Sequence, residues 1–463
     1  MPRLKSSLLS ALCASTFLGL SGSYALAAEP TPAPAPPANW WDTVTLTGLV
    51  DGGVTFNPQN PPDGLNFGHL FTDKANSPLL NQTVLTLQRP LDPKATGYDF
   101  GFKIQFIYGS DTRYTQYLGE FNYAINDRNQ IALQEAWGVV HLPWLFAGGI
   151  DVKFGQWVTL EGAETIDPTT NYLYSHSYIF NFGIPFVDTG VLAIWHVDPL
   201  LDIYTGITSG VNTTLGYRQG DNNGAAAFEG GIGLNLLGGN LTILATTHIG
   251  PELPDVFGLP GTNTINEVAA CFCNPNTALR YLNDITATWK INDAFSLITD
   301  LNYIRDDGFK TSGYGVAQYA VWSPLDWLKV IGRVEVWRDN GVSPDNGITH
   351  TGFFVGGFPG NFDFINSEWG FLNTSFVETP TTYFGITAGL NITPPIPEGF
   401  FVKGVTIRPE VRYDASLNDT TPFDGSGFGG RGFPGIPALG IPPFGTGRQG
   451  SQVTFGGDVL VKF

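Results

Sequence analysis

The chain has 463 residues, of which 14% are charged and 13% aromatic, and carries a net charge of −18. That balance excludes a nucleic-acid binder, because phosphates require a basic face and no basic stripe is present. Past the extreme N-terminus no segment offers the roughly 18 consecutive apolar residues of a spanning helix, so any passage through lipid falls to the strands of a closed barrel, the other structure that satisfies every backbone polar group there.

The N-terminus reads as an export signal. Arg3 and Lys5 precede an apolar stretch from Leu8 to Leu20, and Ala25-Leu26-Ala27 closes it with the small residues that signal peptidase needs. Residues 1–27 are the expected signal peptide; Cys13 belongs to it, since Leu12 is too large to precede a lipidated cysteine. Residues 28–39 are rich in Pro and Ala, favour extended polyproline II and form an expected periplasmic linker. The barrel is expected to fill residues 40–463.

From there the chain alternates in steps of two, the period that sends successive side chains to opposite faces of a strand. The expected strands are Thr43–Phe56, Gln82–Arg89, Tyr98–Tyr108, Gln130–His141, Gly149–Trp157, Thr189–His196, Leu200–Ser209 and Ala226–Leu237. The second half continues with Asn240–Ile249, Arg280–Ile291, Phe295–Arg305, Gly313–Trp322, Asp326–Trp337, Thr382–Ile392, Val402–Tyr413 and Ser451–Phe463. Gln134 and Glu135 break the alternation of their segment, which predicts a bulge. The count is about sixteen, with fourteen or eighteen as alternatives.

The connections alternate between long and short. Long ones include Asn57–Asn81, Gly109–Asn129, Val158–Asp188, Gly250–Leu279, Arg338–Thr381 and Ala415–Gly450; short ones include Val197–Pro199, Gly238-Gly239, Asn292–Ala294 and Ser323–Leu325. Outer-membrane barrels have this parity, with long loops outside and short periplasmic turns. The expected fold is therefore all-β, a transmembrane antiparallel β-barrel in a bacterial outer membrane. The expected function is passive diffusion of small polar solutes or ions through a water-filled pore. A non-conducting adhesin or structural barrel is the alternative; a barrel hydrolase ranks below it. Ser175 and His176 are adjacent on an extended chain and point apart, and no G-x-S-x-G elbow is present.

One stretch carries a family likeness. Val152-Lys153-Phe154-Gly155, Asn171, Tyr174-Ser175, Tyr178, Phe180, Pro185-Phe186 and Thr189-Gly190 lie between Gln130 and Trp195. In these residues the chain resembles the putative β-barrel porin type 2 family of bacterial outer-membrane proteins, which implies a transport role and names no substrate.

In a barrel, function belongs to the inward face and to loops that fold inward. The third long loop and the residue that ends it offer Glu161, Glu164, Asp167 and Asp188 with no Lys or Arg. Its position resembles that of the constricting loop of sixteen-stranded porins. Inward positions offer a basic wall of Lys103, Lys153, Arg333, Arg408, Arg412 and Lys462. Acids facing bases across a narrow passage would set up a transverse field that filters ions. Glu335 and Glu410 stand beside these arginines as charges that would neutralise them along the wall. Phe463 is an outward-facing terminal aromatic, the expected signal for the barrel-assembly machinery. Cys271 and Cys273 form a C-x-C pair, a candidate loop disulfide in an oxidising compartment; no histidine stands near enough in sequence to complete a zinc site. Neither metal nor cofactor is expected. The expected partners are outer-membrane lipids, the assembly machinery and small solutes, with the oligomeric state open.

Overall fold

A computed structural model describes residues 39–92, 96–121, 124–125, 127–216, 221, 223–252, 257–258, 265–266, 274, 276–308, 310–340, 380–397, 399–425 and 447–463. The expected signal segment, nearly all of the linker, and the Cys271 and Cys273 pair lie outside the described residues.

The chain forms β1 (Thr45–Phe56), β2 (Pro78–Arg89), β3 (Asp99–Gly109), β4 (Gln130–Leu142), β5 (Ile150–Val158), β6 (Val187–Asp198), β7 (Leu201–Thr208), β8 (Ala227–Leu236) and β9 (Leu241–Pro251). A two-residue ladder follows, β10 (Phe257–Gly258) with β11 (Ile265–Asn266). Then come β12 (Leu279–Asn292), β13 (Phe295–Asp306), β14 (Thr311–Leu325), β15 (Leu328–Asp339), β16 (Thr381–Ile392), β17 (Gly404–Ser416) and β18 (Ser451–Lys462). All strands but β10 and β11 pair with their neighbours in one sheet, and β1 pairs antiparallel with β18 to close a sixteen-stranded barrel. The parity of connections holds around the barrel, with one exception: residues 307–310 are short in a slot where the others are long.

The alternation in sequence becomes two faces. On β17, Ile407, Val411 and Tyr413 are exposed on the outer surface, while Arg408, Glu410, Arg412 and Asp414 are buried within the barrel. Among the described residues the pairing register shifts in five places: three lie beside the short turns that follow β6, β12 and β14, and two are bulges within strands. On β4 the pairing slips at Gln134, as the sequence predicts. On β2 it slips at Asn81, between the pairs Asp51↔Gln82 and Gly52↔Leu80. That second slip explains why β2 runs four residues further back than the alternation indicates. A bulge sets two successive side chains on one face, and Asn81 and Gln82 are accordingly both buried inside.

The seam between the first and last strands ends in Phe463. Its backbone exchanges hydrogen bonds with Gly48 (2.9 and 3.0 Å), and its ring lies where a side chain at position 48 would stand. The ring also stacks on Phe401, at 5.3 Å between centroids. Phe463→Asp should therefore lower the fraction of protein that reaches the folded, heat-modifiable form on a gel, while the conductance of the molecules that do fold stays unchanged. Normal folded yield would remove Phe463 from assembly.

The long-loop end of the barrel has a core of its own. Phe67, Leu70 and Phe71 from the first loop join Tyr114 and Tyr117 from the second and Tyr178, Phe180, Phe182 and Phe186 from the third. Phe71 stacks on Tyr114 (5.4 Å) and meets Phe180 edge to face (5.3 Å), both within the range of favourable aromatic pairs.

Candidate functional site

β5 and β6 part company after the pair Val158↔Val187, and residues 159–186 between them turn into the barrel. This inner loop has little regular structure beyond α2 (Tyr178–Phe182), which is capped by the Ser177 side chain accepting from the Phe180 amide at 3.1 Å. A buried, irregular segment must find partners for its backbone groups. Charged side chains on the inward wall supply them.

Acids take the amides. Asp284 on β12 accepts from the amide of Gly162 (3.1 Å) and Asp300 on β13 from that of Ala163 (3.0 Å). Glu410 accepts from Tyr174 (2.9 Å) and Ser175 (3.1 Å), and Glu335 from Tyr178 (2.6 Å). Arginines take the carbonyls. Arg408 donates to Pro168 (2.8 Å) and Asn171 (2.9 Å), Arg333 to Ser175 (2.7 Å), and Arg412 to His176 (2.5 Å). The bulged stretch of β2 completes the span. Gln82 donates to the Ile166 carbonyl at 2.8 Å, and Asn81 accepts from the Tyr174 hydroxyl at 3.0 Å. Gly53 and Gly389 make the fit possible: a Cβ at Gly53 would stand 2.5 Å from the Tyr174 ring and 2.8 Å from the Gly457 carbonyl, and one at Gly389 2.5 Å from Leu173.

The candidate residues fall in different places. Glu164 is buried and ion-paired with Arg333 (2.8 Å), with His176 at 3.3 Å. Burial acts to raise its carboxyl pKa, but Arg333, His176 and the Ser177 amide outweigh burial and hold it down at about 2. Glu161 is equally buried but unpartnered, and burial together with the nearby Asp284 carboxylate pushes it well above the ordinary range. Asp167 is turned onto its own loop and accepts from the Thr169 amide at 2.9 Å. Asp188 belongs to β6, not to the loop, and sits 3.4 Å from His248.

The wall differs from the basic one expected. Arg333, Arg408 and Arg412 are almost wholly buried, and each is matched by carboxylates: Arg333 by Glu164 and Glu335, Arg408 by Asp458, Arg412 by Asp414 and Glu335. They hold the loop rather than present free charge to a passage, because a buried guanidinium needs an acid and several acceptors. Lys103 pairs with Glu135, Lys153 lies 4.8 Å from the centre of the Trp137 ring, and Lys462 is half-buried near the C-terminus. Ser175 and His176 are likewise engaged separately: the Ser175 hydroxyl accepts from Arg333 (3.2 Å), and the His176 ring stacks on Phe180 at 4.0 Å.

Sequence reasoning missed the docking of the first loop. His69 lies 3.0 Å from Asp414, and Asp73 binds both Arg113 and Arg128. The available signal was Phe67, Leu70 and Phe71, an apolar cluster in a segment otherwise read as solvent-facing.

Comparison with known proteins bears on the family and the barrel fold. The model of the family described as putative beta-barrel porin-2, OmpL-like, matches residues 43–463. Among solved structures, the chain is similar to an anion-selective porin from Comamonas acidovorans, at 11% identity and a TM-score of 0.50, covering 91% of this chain and 99% of that one. The outer membrane channel DcaP of Acinetobacter baumannii aligns at 10% identity and a TM-score of 0.48, over 91% and 96% of the two chains. OprB of Pseudomonas putida aligns at 14% and 0.46, over 91% and 94%. No curated protein matches the chain.

Proposed function

Since the chain belongs to the putative beta-barrel porin-2, OmpL-like family of β-barrel proteins, we propose that it is an outer-membrane porin that passes small polar solutes or ions beside a loop fixed within its lumen. The observation that carries this reading is the span of residues 159–186, tied by hydrogen bonds to β2, β12, β13, β15 and β17. A loop held on so many sides narrows the lumen without depending on its own stiffness. Nearer the short turns the inward face opens: Thr45, Thr47 and Thr288 are exposed there. In this reading the long loops face the outside, residues 1–27 are removed on export, and Glu161 and Glu164 stand in the narrow zone, where a passing ion is least screened.

A second reading, a barrel without an open pore, draws on the aromatic core at the long-loop end. Planar-bilayer recording separates the two. The porin reading requires steady, ohmic single-channel conductance and a reversal potential in a salt gradient. A correctly folded barrel that leaves the bilayer silent would select the second reading.

A further inference from the structure

A set of carboxylates gathers where the inner loop begins, and anchoring the loop does not use all of them. Glu161 is 5% exposed, and neither of its side-chain oxygens has a hydrogen-bond partner. The groups acting on it are the carboxylates of Asp284, Asp188 and Glu229 and the imidazole of His248. Asp300 gives one oxygen to the Ala163 amide and leaves Oδ1 unpartnered; Glu229 leaves Oε2 unpartnered. His248 is already engaged, 3.4 Å from Asp188 and 2.9 Å from Glu252.

The chemistry of the unfilled atoms limits what fits. In their ionised form all of these are acceptors, so an occupant of the ionised site must donate. The carboxylates outnumber the bases beside them, so positive charge on the occupant offsets their mutual repulsion, in competition with protons. A bare metal ion is disfavoured, because among the described residues no group of three His, Cys, Asp or Glu side chains is placed to hold one. A larger cation with several N–H donors meets both conditions, since guanidinium and ammonium groups reach separated carboxylates through charge-assisted hydrogen bonds. The burial of the wall is graded as well. Along the inward face of β12, Asp284 is buried, Thr286 half-buried and Thr288 exposed, and on β13 Asp300 gives way to half-buried Ile298 and Ser296. The inward face thus becomes more exposed step by step from the carboxylates towards the short-turn end.

We propose that this carboxylate cluster binds the guanidinium or ammonium group of a cationic solute, with the unpartnered Glu161 carboxylate as its principal acceptor. As a statement about what the protein transports it rests on the porin reading; as a binding site it does not. The test is calorimetric titration of the folded protein in detergent with methylguanidinium chloride, methylammonium chloride and, as a neutral control, methylurea. Saturable binding of at least one cation is expected, with none for methylurea, and Glu161→Gln should weaken that binding at least about tenfold, a difference of about 1.4 kcal/mol. Asp300→Asn is the second variant, expected to weaken binding as well, and it carries the comparison if Glu161→Gln fails to fold. Absence of saturable binding to the parent protein, equal binding of methylurea, or parental affinity in the folded variants would overturn the site. Conductance is recorded separately, so binding by a silent barrel would keep the site and remove the porin, and a conducting barrel that binds neither cation would do the reverse.

Discussion

Arg333→Met is expected to lower resistance to unfolding by roughly 3–5 kcal/mol, the cost of leaving a buried partner charge uncompensated, and to raise single-channel conductance. Arg333 is fully buried, and its guanidinium serves Glu164 at 2.8 Å, Glu335 at 3.2 Å, the Ser175 carbonyl at 2.7 Å and the Thr387 hydroxyl at 3.1 Å. Methionine fills similar volume but donates nothing. Glu164 then keeps only the His176 ring at 3.3 Å and the Ser177 amide at 2.7 Å, the Ser175 carbonyl loses its donor, and the loop loses its Arg333 anchor on β15. Lysine should rescue poorly, because one ammonium cannot reproduce the planar fork that reaches several partners at once. The measurement is the urea midpoint followed by tryptophan fluorescence, paired with bilayer recording. The control is Lys290→Met, which removes an exposed ion pair with Asp293 and should move the midpoint by no more than about 1 kcal/mol. If Arg333→Met and Lys290→Met behaved alike, Arg333 would not be holding the loop.

The barrel was legible because its physical demands are local. An outer surface in lipid and an inward surface in water impose a period of two on every strand. Phe384, Ile386, Ala388 and Leu390 therefore show their shared face without any knowledge of the fold. The parity of connections is just as local, since a turn of two residues can only join neighbouring antiparallel strands. The site was legible in part. The alternation placed Arg333, Arg408 and Arg412 inward, and the acidic composition of the third loop singled out Glu161 and Glu164.

Partnership was not legible, because it depends on register and on a loop path that the chain does not spell out. Arg333 and Arg412 are 79 positions apart by number, yet they sit in one row across the sheet, each facing Thr387 in the strand between them. Only in that row do Glu335 and Glu164 become their partners. A row of inward arginines looks like free positive potential until the loop carbonyls that consume it are in place. The bulge at Asn81 was hidden for a related reason: a slip of one residue sets Asn81 and Gln82 on the same face, and a period-2 pattern cannot follow it.

Two glutamates three positions apart should respond in opposite directions to the same substitution. Glu164→Gln is expected to destabilise the protein at neutral pH, and Glu161→Gln to stabilise it. Burial raises the pKa of both, but Glu164 has Arg333, His176 and the Ser177 amide to bring it down to about 2, against an ordinary 4.5. A depressed carboxyl stabilises the fold above its unfolded value, and that contribution fades as pH falls from 4.5 towards 2. The deficit of Glu164→Gln, roughly 3 kcal/mol at neutral pH by the cost of breaking a buried pair, should therefore shrink across this window. Glu161 has no such partners and is pushed upward by burial and by Asp284. Its charged form penalises the folded state as pH rises above 4.5, and the penalty vanishes below that value, where the carboxyl is protonated whether folded or not. The gain from Glu161→Gln, on the order of 1–3 kcal/mol for an unsatisfied buried group, should appear at neutral pH and disappear in acid. Urea midpoints of both variants and the parent, taken near neutrality and at about pH 3, decide the matter. Two exposed loop charges screened by bulk water would give small effects at both pH values, and that result would move the loop out of the lumen.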